Sequence, residues 1–291
     1  MILVDMNQIT IGNIMAESKG QPSLNPDLIR HMVINNLRTI RNKYSQQYGE
    51  MVICYDYPRS WRKNLFPQYK EARKRERKNS DFDWPALFNL LNEIKQELVE
   101  YFPYKVMQVE YCEADDVIAV LARSNSQKEK ILIISSDGDF QQLQKYPNID
   151  QYSPILKKMI SCDDPSEYLF EHIVRGDSSD GVPNILSPDD IFIQETGRQS
   201  PISKKKYQTW LDAWKNSGTT NRDIKSISQD DNMLININRN SILIDFDNIP
   251  EQLCSDVLNK YETMPTAGRD KIVNYFMTKG MRNLIQHASE F

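Results

Sequence analysis

Three short apolar runs in the first half of the chain each lead into an aspartate. The runs are ILV at 2–4, MVICY at 51–55 and ILII at 131–134, and the aspartates are Asp5, Asp56 and Asp137. Short, continuous runs rich in β-branched residues are typical of strands that are buried on both faces of a sheet. We therefore expect three interior strands, and a further strand at YKVMQV, 104–109.

Segments of helical periodicity separate these runs. Apolar residues recur at helical spacing over about 26–48, and Asp83 with Pro85 indicates the start of a helix that ends near Tyr101. Another helix begins at or near Glu113 in EADDVIAVLAR. Strands that alternate with helices predict the α/β class, with a central, mainly parallel sheet flanked by helices. Ligands bind such sheets at the carboxyl ends of the strands, where the aspartates are expected.

The strand signal fades after about residue 150. Residues 163–174 read as a well-capped helix, 175–184 as a turn-rich junction, and the rest as polar and mostly helical, with one apolar run at 241–246. We therefore predict a boundary near residue 175. It separates a core of residues 1–175 from a smaller helical C-terminal domain of residues 176–291.

Composition excludes several classes of protein. The chain has 291 residues, 40% of them hydrophobic, which is ordinary for a globular protein. Its four cysteines lack paired spacing and its three histidines lie far apart, so a zinc site, a disulfide framework and a Ser-His-Asp triad are not expected. It has no apolar run of membrane-spanning length and no signal-peptide pattern, so we expect a cytoplasmic protein without a membrane partner.

The net charge of −4 hides two basic clusters. The segment 59–78 holds nine Lys or Arg against two Glu, and it interleaves them with Trp61, Phe66 and Tyr69. Basic residues attract a phosphodiester backbone and aromatic rings stack on single-stranded bases. The alternative is a solvated charged loop, which could still fold on binding nucleic acid. A second cluster follows at Arg198 and 204–206.

Carboxylates gather around the predicted strand ends. Taken singly, DGD at 137–139 fits a turn, EADD at 113–116 fits a helix N-terminus, and GDSSD at 176–180 fits a capping cluster. Together they supply nine carboxylates: Asp5, Asp56, Glu113, Asp115, Asp116, Asp137, Asp139, Asp177 and Asp180. Carboxylates this close repel one another unless a cation lies between them.

All-carboxylate ligation favours Mg²⁺, with Mn²⁺ able to replace it. Nine carboxylates exceed the needs of one ion, and two ions roughly 3.5–4 Å apart clamp the attacking and leaving oxygens of a phosphodiester. In extended backbone, Asp137 and Asp139 would face one side and serve one ion each, with Gly138 allowing the backbone to turn.

The motifs YCEADDVIAVL, ILIISSDGDFQQL and GDSSDGVP, which follow Asp5 and Asp56 in this order, resemble the 5′-nuclease (flap endonuclease) superfamily. The resemblance covers most of residues 1–185 and continues more loosely to Phe291. It implies a PIN-like nuclease core, a basic arch or loop at about 59–83, and a helix–turn–helix-like duplex-binding element in the C-terminal domain. It also implies two Mg²⁺ ions.

The resemblance assigns roles to the individual residues. Asp5, Asp56, Asp115 and Asp137 correspond to an inner metal site, and Asp139, Asp177 and Asp180 to an outer one, with Glu113 and Asp116 in support. Lys70 would approach the scissile phosphate, and Arg62 and Arg73 would hold neighbouring phosphates. The remaining predicted nucleic-acid contacts are Arg59, Trp61, Lys63, Tyr69, Lys74, Arg75, Arg77, Lys78, Arg198, Ser200, Ser203, Lys204, Lys205 and Lys206.

The chain departs from the superfamily after GDSSD. Many relatives carry a glycine-rich turn there that grips the duplex backbone, and the segment 181–206 lacks it. We expect TGRQSPISKKK, 196–206, to replace that turn with hydroxyl groups, Gly197 and three lysines.

The function implied is 5′→3′ exonuclease, flap endonuclease and ribonuclease H activity that removes RNA primers and adjacent DNA during lagging-strand replication. Expected partners are RNA–DNA hybrids, flapped, nicked or forked duplex DNA, a sliding clamp and a single-strand-binding protein. We expect a monomer in the cytoplasm, that of the bacterial host if the chain is phage-encoded. The C-terminal LIQHASEF, 284–291, is either a clamp-binding tail or a plain chain end.

Two alternatives remain open from the sequence. A Mg²⁺-dependent phosphatase or phosphotransferase also uses strand-end aspartates, but usually needs a second aspartate two residues after the first, where this chain has Asn7. A non-catalytic nucleic-acid-binding replication accessory protein would be expected to have lost part of the acidic set, and this set is intact.

Overall fold

The computed structural model describes residues 1–18, 25–194, 197–218 and 222–291. Its strands form one six-stranded sheet of order β3-β2-β1-β4-β5-β6. The strands are β1 Ile2–Asp5, β2 Met51–Cys54, β3 Lys105–Met107, β4 Ile131–Ile134, β5 Ile149–Ser153 and β6 Lys158–Ile160. Strands β1 to β5 pair in parallel and only β6 is antiparallel, so the predicted α/β class with a mainly parallel sheet is confirmed.

Helices follow the strands along the chain. They are α1 Met6–Ser18, α2 Pro26–Tyr48, α3 Arg62–Leu65, α4 Glu71–Lys78, α5 Trp84–Tyr101, α6 Ala114–Asn125, α7 Pro165–Arg175, α8 Lys204–Asn216, α9 Asp231–Ile244, α10 Glu251–Thr263, α11 Lys271–Thr278 and α12 Arg282–Ile285. Four 3₁₀-helices cover Gly138–Lys145, Ile224–Ile227, Phe246–Asn248 and Ala288–Glu290. None of the described helices is long and apolar enough to cross a membrane.

Strands β5 and β6 lie beyond the point where the sequence signal fades. In β5 the buried positions alternate, and two of them, Gln151 and Ser153, are polar side chains. A period-2 pattern read only from apolar residues misses a strand whose inward side chains are polar. The apolar run at 241–246 is the last turn of α9 and the start of a 3₁₀-helix.

Contacts divide the chain into two compact units. The first unit consists of Met1–Arg59, Asp81–Ser161 and Glu251–Phe291, and the second of Ser60–Ser80 and Cys162–Pro250. This division is discontinuous, whereas the sequence pattern suggests one boundary near residue 175. The difference arises because Glu251–Phe291 packs with the sheet at the start of the chain.

The first unit buries a large apolar core on one face of the sheet. Alternate strand residues such as Ile2 and Val4 pack there with side chains of α2, α5 and α11. The intervening residues, such as Leu3, point to the other face, where α6 packs on β1, β2 and β4. The parallel strands are therefore covered on both sides, as their unbroken apolar sequences predict.

The C-terminal segment belongs to this core. Phe291 is fully buried, with its ring centroid 5.6 Å from that of Phe102 and 5.2 Å from that of Phe276. Tyr275 donates a hydrogen bond of 2.7 Å to Glu97 Oε2, which also accepts one of 2.9 Å from Arg30 Nε. The segment LIQHASEF therefore packs against the core through Phe291.

The second unit is helical and has two small cores. Phe170, Trp210 and Trp214 pack in one of them, and Phe66, Tyr69 and Leu243 pack in the other. The basic segment shows no apolar period, yet α4 forms in it with no buried residue. Its sequence EARKRERK consists of strong helix formers, so intrinsic propensity rather than packing explains this helix.

Replacing Phe291 with Ala is expected to lower the free energy of unfolding by about 3–5 kcal/mol, because it leaves a cavity among aromatic side chains. Met277→Ala is the matched control, since Met277 is 65% exposed and its loss is expected to change stability by less than about 0.5 kcal/mol. Urea unfolding measures both. Equal, small effects would show that Phe291 does not contribute to the core in solution.

Candidate metal centre

Three acidic side chains follow adjacent strands at one edge of the sheet. Strand β1 ends at Asp5, which is paired with Cys54 at the end of β2, and Asp56 follows two residues later. On the other side of β1, strand β4 ends at Ile134 and is followed by Asp137. The chain order along the sheet reverses between β1 and β4, and such a switch point opens a crevice at the carboxyl ends of the strands.

Asp5 is the buried member of this group, at 5% exposure. Its Oδ1 accepts a hydrogen bond of 3.1 Å from the backbone N–H of Gln8, and its Oδ2 accepts one of 3.0 Å from Ser135 Oγ. Burial and the neighbouring charges of Asp56 and Asp137 nevertheless raise the pKa of Asp5 from 3.8 to about 7. The ionised carboxylate is therefore unfavourable here unless a cation compensates its charge.

Asp137 is the cap of the 3₁₀-helix that begins at Gly138. Its Oδ1 accepts a hydrogen bond of 3.0 Å from the backbone N–H of Asp139, and its own N–H donates to Ser135 Oγ at 3.1 Å. The prediction that these two aspartates face one side of an extended backbone is therefore wrong, because the helical turn starts between them. Gly138 lies in ordinary 3₁₀ geometry, which residues other than glycine also adopt.

The start of α6 carries the next acidic group. Glu113 and Asp116 form a reciprocal capping box, in which Asp116 Oδ2 accepts the Glu113 N–H at 2.9 Å. Asp116 is fully buried, so its carboxylate helps to fix the helix start. Asp56 Oδ1 accepts the N–H of Ala114 at 2.8 Å, which holds Asp56 against the same helix end.

Asp115 is half-buried in the first turn of α6. The charges of Asp5 and Asp115 both contribute to raising the pKa of the Cys54 thiol, although burial is the larger cause. Asp115 therefore belongs to the same electrostatic environment as Asp5. The structure thus brings together within the first unit Asp5, Asp56, Glu113, Asp115, Asp116, Asp137 and Asp139.

Asp177 and Asp180 lie in the second unit, on a tight turn that GDSSDG forms. Gly176 has a φ of +68°, and a Cβ placed there would lie 2.4 Å from the backbone oxygen of Val182. The side-chain Oδ1 of Asp177 accepts the N–H of Ser179 at 2.8 Å. The backbone oxygen of Asp177 accepts the N–H of Val182 at 2.7 Å. The glycine is therefore required by the close approach of two backbone segments.

Asp180 is surrounded by donors from the basic segment. Tyr69 Oη donates to its Oδ2 at 2.7 Å, Lys70 Nζ lies 3.4 Å from Oδ2, and Arg73 donates to Oδ1 at 2.5 Å. Lys70 also donates its backbone N–H to Asp180 O at 2.7 Å, with a φ of 56°. Lys70 and Arg73, which are predicted to act in catalysis, therefore form salt bridges with Asp180, which is predicted to bind a metal.

Three predicted contacts with nucleic acid are buried in this structure. Trp61 is 6% exposed, Tyr69 is 3% exposed, and Arg62 is 2% exposed with its Nε donating to Leu243 O at 2.8 Å. A ring buried in a core offers no face to a base, so the stacking role predicted for Trp61 and Tyr69 is not supported. The phosphate-holding role of Arg62 is not supported either, because its guanidinium is turned inward.

The other predicted contacts lie at or near the surface. Arg59, Lys74, Arg75, Arg77, Lys78, Arg198, Ser203, Lys204 and Lys205 are exposed, and Lys63, Ser200 and Lys206 are half-buried. Ser203 caps α8, because its Oγ accepts the N–H of Lys206 at 3.2 Å. Ser200 donates its N–H to Ser187 Oγ at 2.9 Å. Thr196, the first residue of the predicted hydroxyl-rich replacement, lies outside the described residues.

Sequence reasoning missed the residues that hold the carboxylates in place. Ser135 Oγ bridges Asp5 and Asp137, and the side chain of Gln8 accepts the N–H of Ser136 at 2.7 Å. Gln151, on β5, donates to the backbone oxygen of Asp137 at 2.7 Å. The only signal was their position: Ser135 lies between a strand and a predicted ligand, and Gln8 lies one helical turn after Asp5.

Comparison with known proteins gives two adjoining family matches. Residues 6–168 match the family described as "5'-3' exonuclease, N-terminal resolvase-like domain", and residues 165–291 match "T4 RNase H, C terminal". The chain is 32% identical over 296 residues to ribonuclease H of Enterobacteria phage T4, covering 99% of this chain and 95% of that one.

More distant relatives match part of the sequence or the fold. A flap endonuclease Xni of Shewanella pealeana is 34% identical over 136 residues, which span 43% of this chain and 49% of that protein. A structure of the T5 5'-exonuclease with bound zinc superposes with a TM-score of 0.63 at 17% identity, covering 91% of this chain and 98% of that one.

The chain therefore belongs to the 5′-3′ exonuclease family, and its fold is that of a 5′-3′ nuclease. Within that family, the chain is similar to the phage ribonuclease H, because its last 127 residues, 165–291, match the C-terminal segment of T4 RNase H. The resemblance to the 5′-nuclease superfamily that YCEADDVIAVL, ILIISSDGDFQQL and GDSSDGVP indicate together is confirmed.

Metal-free protein is expected to lose stability as the pH rises from about 4 to about 7, in part because Asp5 ionises. Asp5→Asn is expected to remove the part of the loss that Asp5 causes. The pKa of Asp5 is higher in the folded than in the unfolded chain, so the folded state retains the proton in this window while the unfolded state releases it. This difference in the pKa of Asp5 corresponds to a loss of at most about 4 kcal/mol in the free energy of unfolding.

Melting temperatures of the wild type and Asp5→Asn, measured in EDTA from pH 4 to pH 8, test this expectation. The difference between the two proteins should grow with pH in favour of Asp5→Asn. Asp81→Asn, at an exposed carboxylate, is the control and should follow the wild type. A difference that stays constant over the whole range would contradict the electrostatic account.

Proposed function

We propose that this chain is a Mg²⁺-dependent 5′→3′ nuclease that removes RNA primers and adjacent DNA, as exonuclease, flap endonuclease and ribonuclease H. One observation carries the proposal: in a member of the 5′-3′ exonuclease family, Asp5, Asp56 and Asp137 meet at the carboxyl ends of three adjacent strands. The names of its relatives, ribonuclease H and flap endonuclease, support the choice of substrates.

The donor chemistry of the first unit suits a hard divalent cation. The carboxylates at the sheet edge offer only oxygen atoms, and the buried Asp5 needs a compensating positive charge. Among the described residues, neither Asp5 nor Asp56 forms a salt bridge. Asp5, Asp56, Asp115 and Asp137 would hold the inner ion, and Asp139, Asp177 and Asp180 the outer one, with Glu113 and Asp116 in support.

Bound divalent cations supply Lewis-acid chemistry, which activates a water as the nucleophile and stabilises the charge that develops on the phosphodiester oxygens. The protein's part is to aim its carboxylates beforehand. Ser135 fixes Asp5 and Asp137 relative to each other through a single hydroxyl group. The N–H of Ala114 fixes Asp56 in the same way. Such second-layer hydrogen bonds orient metal ligands and tune their basicity.

The basic segment would engage the phosphates of the substrate. Lys70 and Arg73 balance the charge of Asp180 in this structure, and both are side chains that can exchange a carboxylate oxygen for a phosphate oxygen. Exposed residues of α4 and of the start of α8, including Lys74, Arg77 and Lys204, would attract the rest of the backbone. A related T5 flap endonuclease structure is described as a complex with DNA and metal ions.

We further propose that the protein acts as a monomer in the cytoplasm, with a sliding clamp and a single-strand-binding protein as replication partners. The helix–turn–helix-like duplex-binding role of the C-terminal domain is part of this proposal. It is supported by the similarity of the chain to phage and bacterial nucleases.

The proposal is tested with a 5′-labelled RNA–DNA hybrid and a 5′-flap duplex, each incubated with Mg²⁺, Mn²⁺ or EDTA. We expect cleavage from the 5′ end of both with either metal and none in EDTA. A phosphomonoester serves as the control substrate and should remain intact. Hydrolysis of the phosphomonoester alone would identify a phosphatase, and binding without any cleavage would identify an accessory protein.

Asp137→Asn is expected to reduce the cleavage rate by at least ~100-fold, as removal of a key electrostatic group does in other active sites. The amide keeps the Oδ1 that accepts the Asp139 N–H, so folding and nucleic-acid binding should be retained. Single-turnover cleavage, a melting curve and a binding titration measure the three properties. Asp163→Asn, at an exposed carboxylate, is the control, and a variant of Asp137 that unfolds would indicate a structural role instead.

A further inference from the structure

Two lysines from different helices converge on one glutamine in the first unit. Lys95, on α5, donates to Gln108 Oε1 at 2.9 Å, and Lys260, on α10, donates to Gln108 O at 2.6 Å. Gln108 is the residue that follows β3. Both lysines are half-buried, so their ammonium groups are held against Gln108 rather than free in solvent.

This pair lacks the negative charge that usually accompanies such lysines. Lys63, Lys70 and Lys279 each lie within 3.4 Å of a carboxylate oxygen. Within the described parts of the chain, neither Lys95 nor Lys260 has a carboxylate within 4.0 Å. Burial lowers the pKa of Lys95, and the charge of Lys260 lowers it further. Two cations whose charges act on each other without a counter-charge repel each other, and a bound anion relieves that repulsion.

The position of the pair relates it to the metal centre. Gln108 uses its Oε1 for Lys95 and donates its Nε2–H to the backbone oxygen of Asp56 at 2.7 Å. One amide side chain therefore connects the cationic pair to a predicted metal ligand. The pair lies at the carboxyl end of β3, the edge strand next to β2.

Both ammonium groups keep donors for a ligand. An ammonium has three N–H groups, and Lys260 uses one of them, for Gln108. Lys95 uses two, for Gln108 and for Asn92 Oδ1 at 3.3 Å. Three donors in all therefore remain for the oxygens of an anion, without loss of the contacts to Gln108.

We propose that Lys95 and Lys260 form a phosphate-binding subsite that holds a backbone phosphate of the nucleic-acid strand beside the metal centre, on the β3 side. This inference rests on the proposed function, because it assumes a polynucleotide substrate. It extends the binding surface beyond the basic segment and α8, to which the sequence alone assigns it. The lysines act as positioning residues, since they hold the strand and do not touch the reacting atoms.

The test compares three double variants of the full chain. Lys95→Met with Lys260→Met, called the Met pair, removes both charges, and Lys95→Arg with Lys260→Arg, called the Arg pair, keeps them. The control variant, Lys128→Met with Lys130→Met, removes two exposed charges elsewhere in the first unit. Binding of a 5′-flap duplex is measured in EDTA over a range of KCl concentrations. Cleavage in Mg²⁺ is then measured for kcat and KM.

The Met pair is expected to reduce the slope of log Kd against log [KCl] by about 0.9, which corresponds to the loss of one phosphate contact on duplex DNA. Its KM should rise several-fold while kcat stays near the wild-type value, because the lost interaction is made equally in the ground and transition states. The Arg pair and the Lys128/Lys130 control should keep the wild-type slope.

Several results would overturn the subsite. One is a Met pair with an unchanged slope, and another is an Arg pair that loses as much as the Met pair. Added inorganic phosphate that raises the melting temperature of the wild type but not of the Met pair, with no change in slope, would show a site for free phosphate instead. A wild type that binds no nucleic acid would contradict the proposed function itself, which separates the two failures.

Discussion

The repulsion among carboxylates at the carboxyl end of a parallel sheet is the constraint on which this molecule depends. Parallel strands bring their ends to one edge, and the order of β2, β1 and β4 places Asp56, Asp5 and Asp137 on neighbouring strands. The pKa of Asp5 is raised because burial and the neighbouring carboxylates make its charged form unfavourable. A sheet covered on both faces is rigid enough to hold it, and hydrogen bonds from Ser135 and backbone N–H groups fix the side chains against their mutual repulsion.

The carboxylates at the sheet edge and Asp180 are held by opposite kinds of donor. In the first unit, Asp5 and Asp56 accept hydrogen bonds from neutral groups and form no salt bridge within the described residues. In the second unit, Asp180 receives Tyr69, Lys70 and Arg73 together. Neutral donors position a carboxylate without cancelling its charge, so the sheet edge keeps its attraction for a cation. Lys70 and Arg73 cancel the charge of Asp180, and Asp180 in turn keeps both cations in a defined place.

Much of the fold and part of the site could be predicted from the sequence, for physical reasons. Parallel strands that are buried on both faces are usually continuously apolar, and a charged residue marks the place where the chain leaves the core, so the strands before Asp5 and Asp56 can be predicted from ILV and MVICY. Strand β5 cannot be predicted in this way, because Gln151 and Ser153 are polar side chains that are nevertheless buried inside the protein. The burial of Tyr69 could not be predicted either, because the sequence of the basic segment does not show that this ring packs with Ile173 and Leu243, which lie far along the chain.

The discontinuity of the first unit has a consequence for biosynthesis. The sheet is complete once Ser161 has been translated, but the face that Tyr275, Phe276 and Phe291 cover stays open until Glu251–Phe291 has been made. At typical elongation rates, this delay is roughly 10 s. The nascent chain therefore carries an exposed aromatic surface while residues 162–250 of the second unit are being synthesised, and transiently exposed surfaces of this kind favour aggregation. The nuclease core can close only after the helical unit has been synthesised.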